Sequence, residues 1–100
     1  MSELVIPKET ARALRELTGE ARPEAALRLV LNDARAYRLE KLETEIRPFE
    51  ARYGMTFDEY RAHFESDESA ASYSWEAERD FLEWEGLMTR RRQIEAVAIG

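Results

Sequence analysis

The chain has no cysteine and a single histidine, and it carries only three prolines and four glycines in 100 residues. Without cysteine there is no disulfide framework, no thiolate metal site and no thiol nucleophile. His63 stands near Ser66 and Asp67, but a catalytic triad holds its base between nucleophile and orienter in space. Three neighbours at one helix end do not supply that, so His63 reads as a surface side chain. None of the glycines forms a phosphate-cradling loop, and no cofactor is expected. No apolar stretch approaches the roughly 20 residues that span a bilayer. The opening MSELVIPKET has no basic flank followed by a long apolar run, so no secretory leader is expected. The chain reads as cytoplasmic, without membrane contact, and not as an enzyme.

What is present is charge. Charged residues make up 36% of the chain and hydrophobic ones 44%, a surplus that suits helices with wide wet faces. It also suits a chain that completes its core on a partner, because so short a polypeptide buries only a modest share of its surface alone. The net charge of −6 is unevenly placed. Residues 1–53 hold ten acids and ten bases, and residues 54–89 hold ten acids against Arg61 and Arg79 alone. The tail then turns basic at Arg90, Arg91 and Arg92. Such an acidic rear half repels nucleic acid and suits a basic protein surface.

Along the chain, Leu4, Val5 and Ile6 before Pro7 predict a short extended segment. Residues 8–17 turn helical, with Ala11, Leu14 and Leu17 on one face and Gly19 as the C-terminal cap. A second helix begins near Pro23. Its early turns are apolar nearly all round, through Ala25, Ala26, Leu27, Leu29, Val30, Leu31 and Ala34. A helix lacking a wet face packs on several sides, most readily against a second copy. Leu39, Leu42, Ile46, Phe49 and Tyr53 then form a two-per-heptad seam, which Pro48 is expected to kink or break near residues 44–47. Thr56, Phe57, Asp58 and Glu59 make a capping box for a short third helix, with Met55 and Tyr60 placed as a hydrophobic staple. Residues 66–72 read as a polar loop. A last helix covers roughly residues 74–97, with Ala77, Phe81, Trp84 and Met88 on one face and Glu76, Asp80 and Glu83 expected opposite.

Three carboxylates on one helix could meet a hard cation, but such sites draw ligands from several elements, and no EF-hand spacing is present. A solvated acidic stripe is the reading here, with no metal. Arg90, Arg91 and Arg92 complement the dipole at a helix end. The Phe81, Trp84 and Met88 face has two readings: packed core, or an anchor set for a partner's groove.

The order of elements over residues 3–40 resembles the ribbon-helix-helix domain, in which two copies pair strands and interlock helices. Residues 49–60 (FEARYGMTFDEY) and 80–85 (DFLEWE) resemble small antitoxins of prokaryotic type II toxin–antitoxin pairs. This implies a mainly α fold with a short N-terminal strand, a helix–turn–helix that dimerises, and an extended helical C-terminal region. Residues 1–47 would form the dimer, through Leu4, Ile6, Leu14, Leu27, Val30, Leu31 and Ala34. Residues 48–100 would bind a toxin, often an RNA-cleaving one, through Phe57, Tyr60, Phe64, Glu76, Asp80, Phe81, Glu83, Trp84, Glu85 and Met88. An acidic, aromatic arm is a physical mimic of RNA for a basic nuclease site.

The strand offers an operator only Ser2, Glu3 and apolar residues, unlike DNA-reading ribbons. Any DNA contact would therefore fall to phosphates, through Arg12, Arg15, Arg22 and Arg28. The expected function is toxin neutralisation, with autoregulation of the operon as an accessory role. The rivals are a DNA-binding repressor without a toxin, whose binding would fall steeply with salt, and a structural helical adaptor.

Overall fold

A computed structural model of the chain describes residues 5–66 and 74–100. Its elements are four helices: α1 (Lys8–Thr18), α2 (Pro23–Tyr53), α3 (Phe57–Ser66) and α4 (Trp75–Glu95). The chain divides into two compact units, Met1–Tyr37 with Ala98–Gly100, and Arg38–Val97.

In the first unit, α1 starts behind Pro7, whose carbonyl accepts from the Ala11 amide at 2.9 Å. Pro7 suits that place because its fixed φ leads into a helix and its missing N–H is not needed there. Glu9 in the first turn and Arg15 in the last complement the helix dipole. Gly19 stops the helix at φ 75°, with its amide on the Arg15 carbonyl, a left-handed cap that glycine reaches without strain. Thr18 Oγ1 donates to the Leu14 carbonyl at 2.6 Å and accepts from the Glu20 amide at 3.1 Å, carrying the chain round to Pro23. Leu14 and Ala26 are buried in this unit.

The expected N-terminal strand is absent among the described residues, and with it the ribbon-helix-helix-like fold. Mainly α is correct. Val5 and Ile6 lie in irregular backbone leading into α1, with Val5 83% exposed. A β-branched pair favours extended backbone, but a strand exists only where a neighbour supplies its hydrogen bonds, and Pro7 removes a donor. Leu4, Ser2 and Glu3 fall outside the described residues, as does most of the expected loop at 66–72.

The second unit is built from the latter half of α2 with α3 and α4. Arg91 pairs with Glu43 at 2.7 Å, Trp84 stacks on Phe49 at 5.6 Å between centroids, and Asp80 meets Arg52 at 2.6 Å. Numbers that rise along α2 fall along α4, so the two run antiparallel. Leu42, Ile46, Phe57, Tyr60, Trp84 and Ile94 form the buried core, with Leu39, Phe49, Tyr53, Met55, Phe64, Phe81, Leu87 and Met88 packed on it. The predicted seam of α2 is therefore one wall of this core.

Gly54 at φ 65° ends α2. The capping box then starts α3: the Glu59 amide donates to Thr56 Oγ1 at 3.3 Å, and the Thr56 amide donates to Glu59 Oε1 at 3.2 Å. The Thr56 hydroxyl also donates to Glu59 Oε1 at 3.0 Å, and the Thr56 amide first and this hydroxyl second hold the Glu59 carboxyl below the usual carboxylate range.

The expected break at Pro48 does not occur: α2 runs through it. Pro48 denies the Thr44 carbonyl its amide donor. Both residues are exposed, so water can satisfy that carbonyl. Beyond Pro48, Phe49 and Tyr53 still reach the core, and their burial holds the last turns helical.

Candidate functional site

The aromatic residues expected to face a partner are largely the core of the second unit. Trp84 is 0% exposed, enclosed by the rings of Phe49, Tyr53, Phe57 and Tyr60 with centroids 5.2 to 5.9 Å away. Phe57 and Tyr60 are buried beside it, and Phe64, Phe81 and Met88 pack against that cluster. Of the two readings of the Phe81, Trp84 and Met88 face, the packed core is the one found. The Trp84 Nε1 has no hydrogen-bond partner among the described residues, an unmet donor that the surrounding ring burial offsets.

Asp80 also turns inward, at 4% exposed. It shares the face of Trp84, not the opposite one expected for it with Glu76 and Glu83, because residues four apart on a helix lie on one side. Its carboxylate accepts from the Tyr53 hydroxyl at 2.5 Å and from Arg52 at 2.6 Å, with Arg79 at 3.9 Å. Burial works to raise the Asp80 carboxyl, but the Tyr53 hydroxyl and then the Arg52 guanidinium outweigh it and hold it below the ordinary range. Burial, reinforced by the bond to Asp80, pushes the Tyr53 hydroxyl up. Arg52 and Tyr53 were not singled out from the sequence as partners of Asp80. A carboxylate at a core position of α4 was the signal that it needed them.

A cleft of about 460 Å³ opens beside this group, lined by Arg52, Tyr53, Ser74, Glu76, Ala77, Arg79 and Asp80. Ser74 is spent on capping α4, accepting from the Ala77 amide, and Arg52 is spent on Asp80. The cleft therefore offers mixed charge and no free nucleophile–base pair. Among the described residues, no three His, Cys, Asp or Glu gather as a metal-binding group. No helix there is long and apolar enough to cross a membrane.

The side chains of α4 that remain outward are different ones. Glu76, Glu78 and Glu83 are exposed, and none has an ion pair among the described residues. Glu85 is held by Arg61 at 2.5 Å, and that guanidinium also lies over the Phe57 ring at 5.1 Å. Trp75 and Leu82 stand out at 70% and 65% exposed. This is the candidate interaction surface: the outer side of α4, where Glu76, Glu78 and Glu83 outnumber Arg79, carried on the aromatic core.

No family model, curated protein or solved structure matches this chain. The resemblance to antitoxins therefore rests on the residues of this chain alone.

The residues expected at a dimer face sit in the first unit in several environments. Leu14 is buried, Ile6, Leu27 and Val30 are half-buried, and Leu31 and Ala34 are exposed; Leu4 lies outside the described residues. Leu17 and Leu29 are exposed as well. Of the arginines considered for phosphate contacts, Arg12 pairs with Glu16 at 3.0 Å and Arg22 with Glu20 at 3.2 Å. Arg28 lies against Gly100, and Arg15 is exposed in the last turn of α1. At the far end of α4, Arg91 bridges Glu43 and Glu95, while Arg90 donates to Gln93 and Arg92 to Thr89.

Proposed function

We propose that this chain is an antitoxin-type binding protein that occupies the basic surface of a toxin, an RNA-cleaving one as the sequence resemblance implies. The observation that supports it is the acidic outer side of α4, where Glu76, Glu78 and Glu83 stay exposed and unpaired among the described residues. Carboxylates kept for the chain's own stability are paired, as Asp80 and Glu85 are. Leaving three unpaired on one helix accumulates a field that attracts a cationic partner and repels nucleic acid. Neutralisation is by occupancy, and no bond is made or broken. The core aromatic residues hold α4 in place, while contact with the toxin falls to outward side chains.

The experiment is co-expression with the product of the neighbouring gene, followed by a growth-rescue assay and co-purification. Rescue of growth together with a stable complex is expected. A neighbour that is neither toxic nor bound removes the reading. The variant Glu76→Lys/Glu78→Lys/Glu83→Lys should slow association by at least about tenfold at low salt, with the difference shrinking as salt is added.

A further inference from the structure

Deepening the binding-protein reading above, we infer that the outer face of α4 is a seat for one basic amphipathic helix of the partner protein, laid along Trp75, Leu82 and Gly86. These residues are spaced seven and four apart, and Gln93 follows seven further on, so all four lie along one line of the helix surface. That line runs opposite Asp80 and Trp84. It extends about 27 Å at 1.5 Å per residue. Trp75 and Leu82 are the large apolar side chains that it exposes. Arg79 covers part of Trp75, with its guanidinium 5.0 Å from the ring centroid, which leaves the rest of the indole free for contact.

Gly86 is the telling residue. It sits inside a helix, where glycine is less favourable than alanine by about 1 kcal/mol. A Cβ built on it would meet nothing within 4 Å, so the chain's own packing does not require glycine there. An approaching backbone does: a residue without a side chain lets a second helix come close and leaves a hollow beside Leu82 for an incoming apolar side chain.

Charge fixes the kind of helix. By their spacing, Glu76 and Glu83 flank the line on one side and Glu78 on the other. Glu85 is already held by Arg61, Arg79 lies beside Trp75, and Arg90 and Arg92 flank only the far end beyond Gly86. From Trp75 to Gly86 the charge beside the apolar strip is predominantly acidic, through Glu76, Glu78 and Glu83 against Arg79, which matches a helix with one leucine-rich face bordered by lysine or arginine. A parallel second copy of α4 would bring its own glutamates against these and be repelled, as would any acidic helix; an antiparallel copy, bringing Arg90 and Arg92 instead, is the alternative that sedimentation separates.

The probes are two synthetic helical peptides of about 18 residues, roughly five turns, with leucines at three- and four-residue spacing. One has lysine at its remaining positions and the other has glutamate. Trp75 reports docking, since it is exposed while Trp84 is enclosed. Titration with the Leu/Lys peptide should shift tryptophan emission to the blue, and the shift should weaken with salt. The Leu/Glu peptide should leave emission unchanged. Leu82→Ser and Gly86→Leu should each weaken Leu/Lys binding about tenfold or more, with both variants folded by circular dichroism and Gly86→Leu melting no lower than the wild type.

Absence of binding, equal binding of both peptides, or full binding by both variants overturns the proposal. So does sedimentation of the chain as a dimer that Gly86→Leu dissociates, which would assign the face to a second copy. The two levels fail separately. A neighbouring gene product that binds the wild type and Leu82→Ser equally leaves the proposed function standing and removes this seat. Peptide docking beside an inert neighbour does the reverse.

Discussion

Asp80 is the residue on which the chemistry of the second unit concentrates. A carboxylate at a core position is tolerated only when its charge is met, and Tyr53 and Arg52 meet it from α2. Arg52 is more than half exposed, so its Coulombic share is screened, and the Tyr53 hydrogen bond carries more of the effect. Asp80→Asn should lower stability by about 1.5–3 kcal/mol at neutral pH, the usual worth of a hydrogen bond to a charged group, read from urea unfolding. The pH dependence has a definite sign. Asp80 is held below its unfolded value, so its contribution is present above about pH 5 and is lost as acid protonates it in the folded state. Glu59 shifts the same way. Tyr53 is raised, so its contribution is present below about pH 10 and is lost as alkali ionises it. The wild type should lose stability on both sides, and Asp80→Asn should flatten the acid limb. An acid limb as steep in the variant as in the wild type would contradict this.

Among the elements, α2 and α4 each carry a residue that helices disfavour, for different reasons. Pro48 is tolerated because its missing hydrogen bond faces water, while the turns beyond it are fixed by Phe49 and Tyr53. Gly86 is not held by any neighbour within reach of a Cβ. Gly86→Ala should therefore stabilise the free chain by about 0.5–1 kcal/mol, seen as a higher melting temperature. A destabilised Gly86→Ala would mean that the glycine serves the chain's own fold. The capping box at Thr56 and the cap at Gly19 were legible from sequence because each is local, a side chain or a φ value acting within a few residues.

At the level of the whole molecule, apolar burial is unequal. Among its described residues the second unit has six buried core residues and eight more packed on them. Among the described residues of the first unit only Leu14 and Ala26 are buried, while Leu17, Leu29 and Leu31 stay exposed. Since burial is the main favourable contribution to folding, a fragment of residues 38–97 should fold by itself and melt cooperatively. A fragment of residues 1–37 should show little helix. In the intact chain, hydrogen exchange should be faster in α1 and in the first turns of α2 than in α4. Equal protection throughout would show that the first unit is stabilised by more than these two side chains.

By itself the sequence determined the helical content, the positions of the Gly19 cap and the capping box, the seam from Leu39 to Tyr53, and the acidic character of the rear half. All of these follow from periodicity, local backbone preference or simple counting. Only the tertiary structure decided that Val5 and Ile6 form no strand, that α2 continues past Pro48, and that Asp80 and Trp84 face inward while Trp75, Leu82 and Gly86 face out. The reason is physical: a pattern along one helix marks an apolar side, but which side is buried depends on the partners that the fold brings to it. An aromatic set reads alike as core or as anchor until Phe49, Tyr53, Phe57 and Tyr60 close around Trp84.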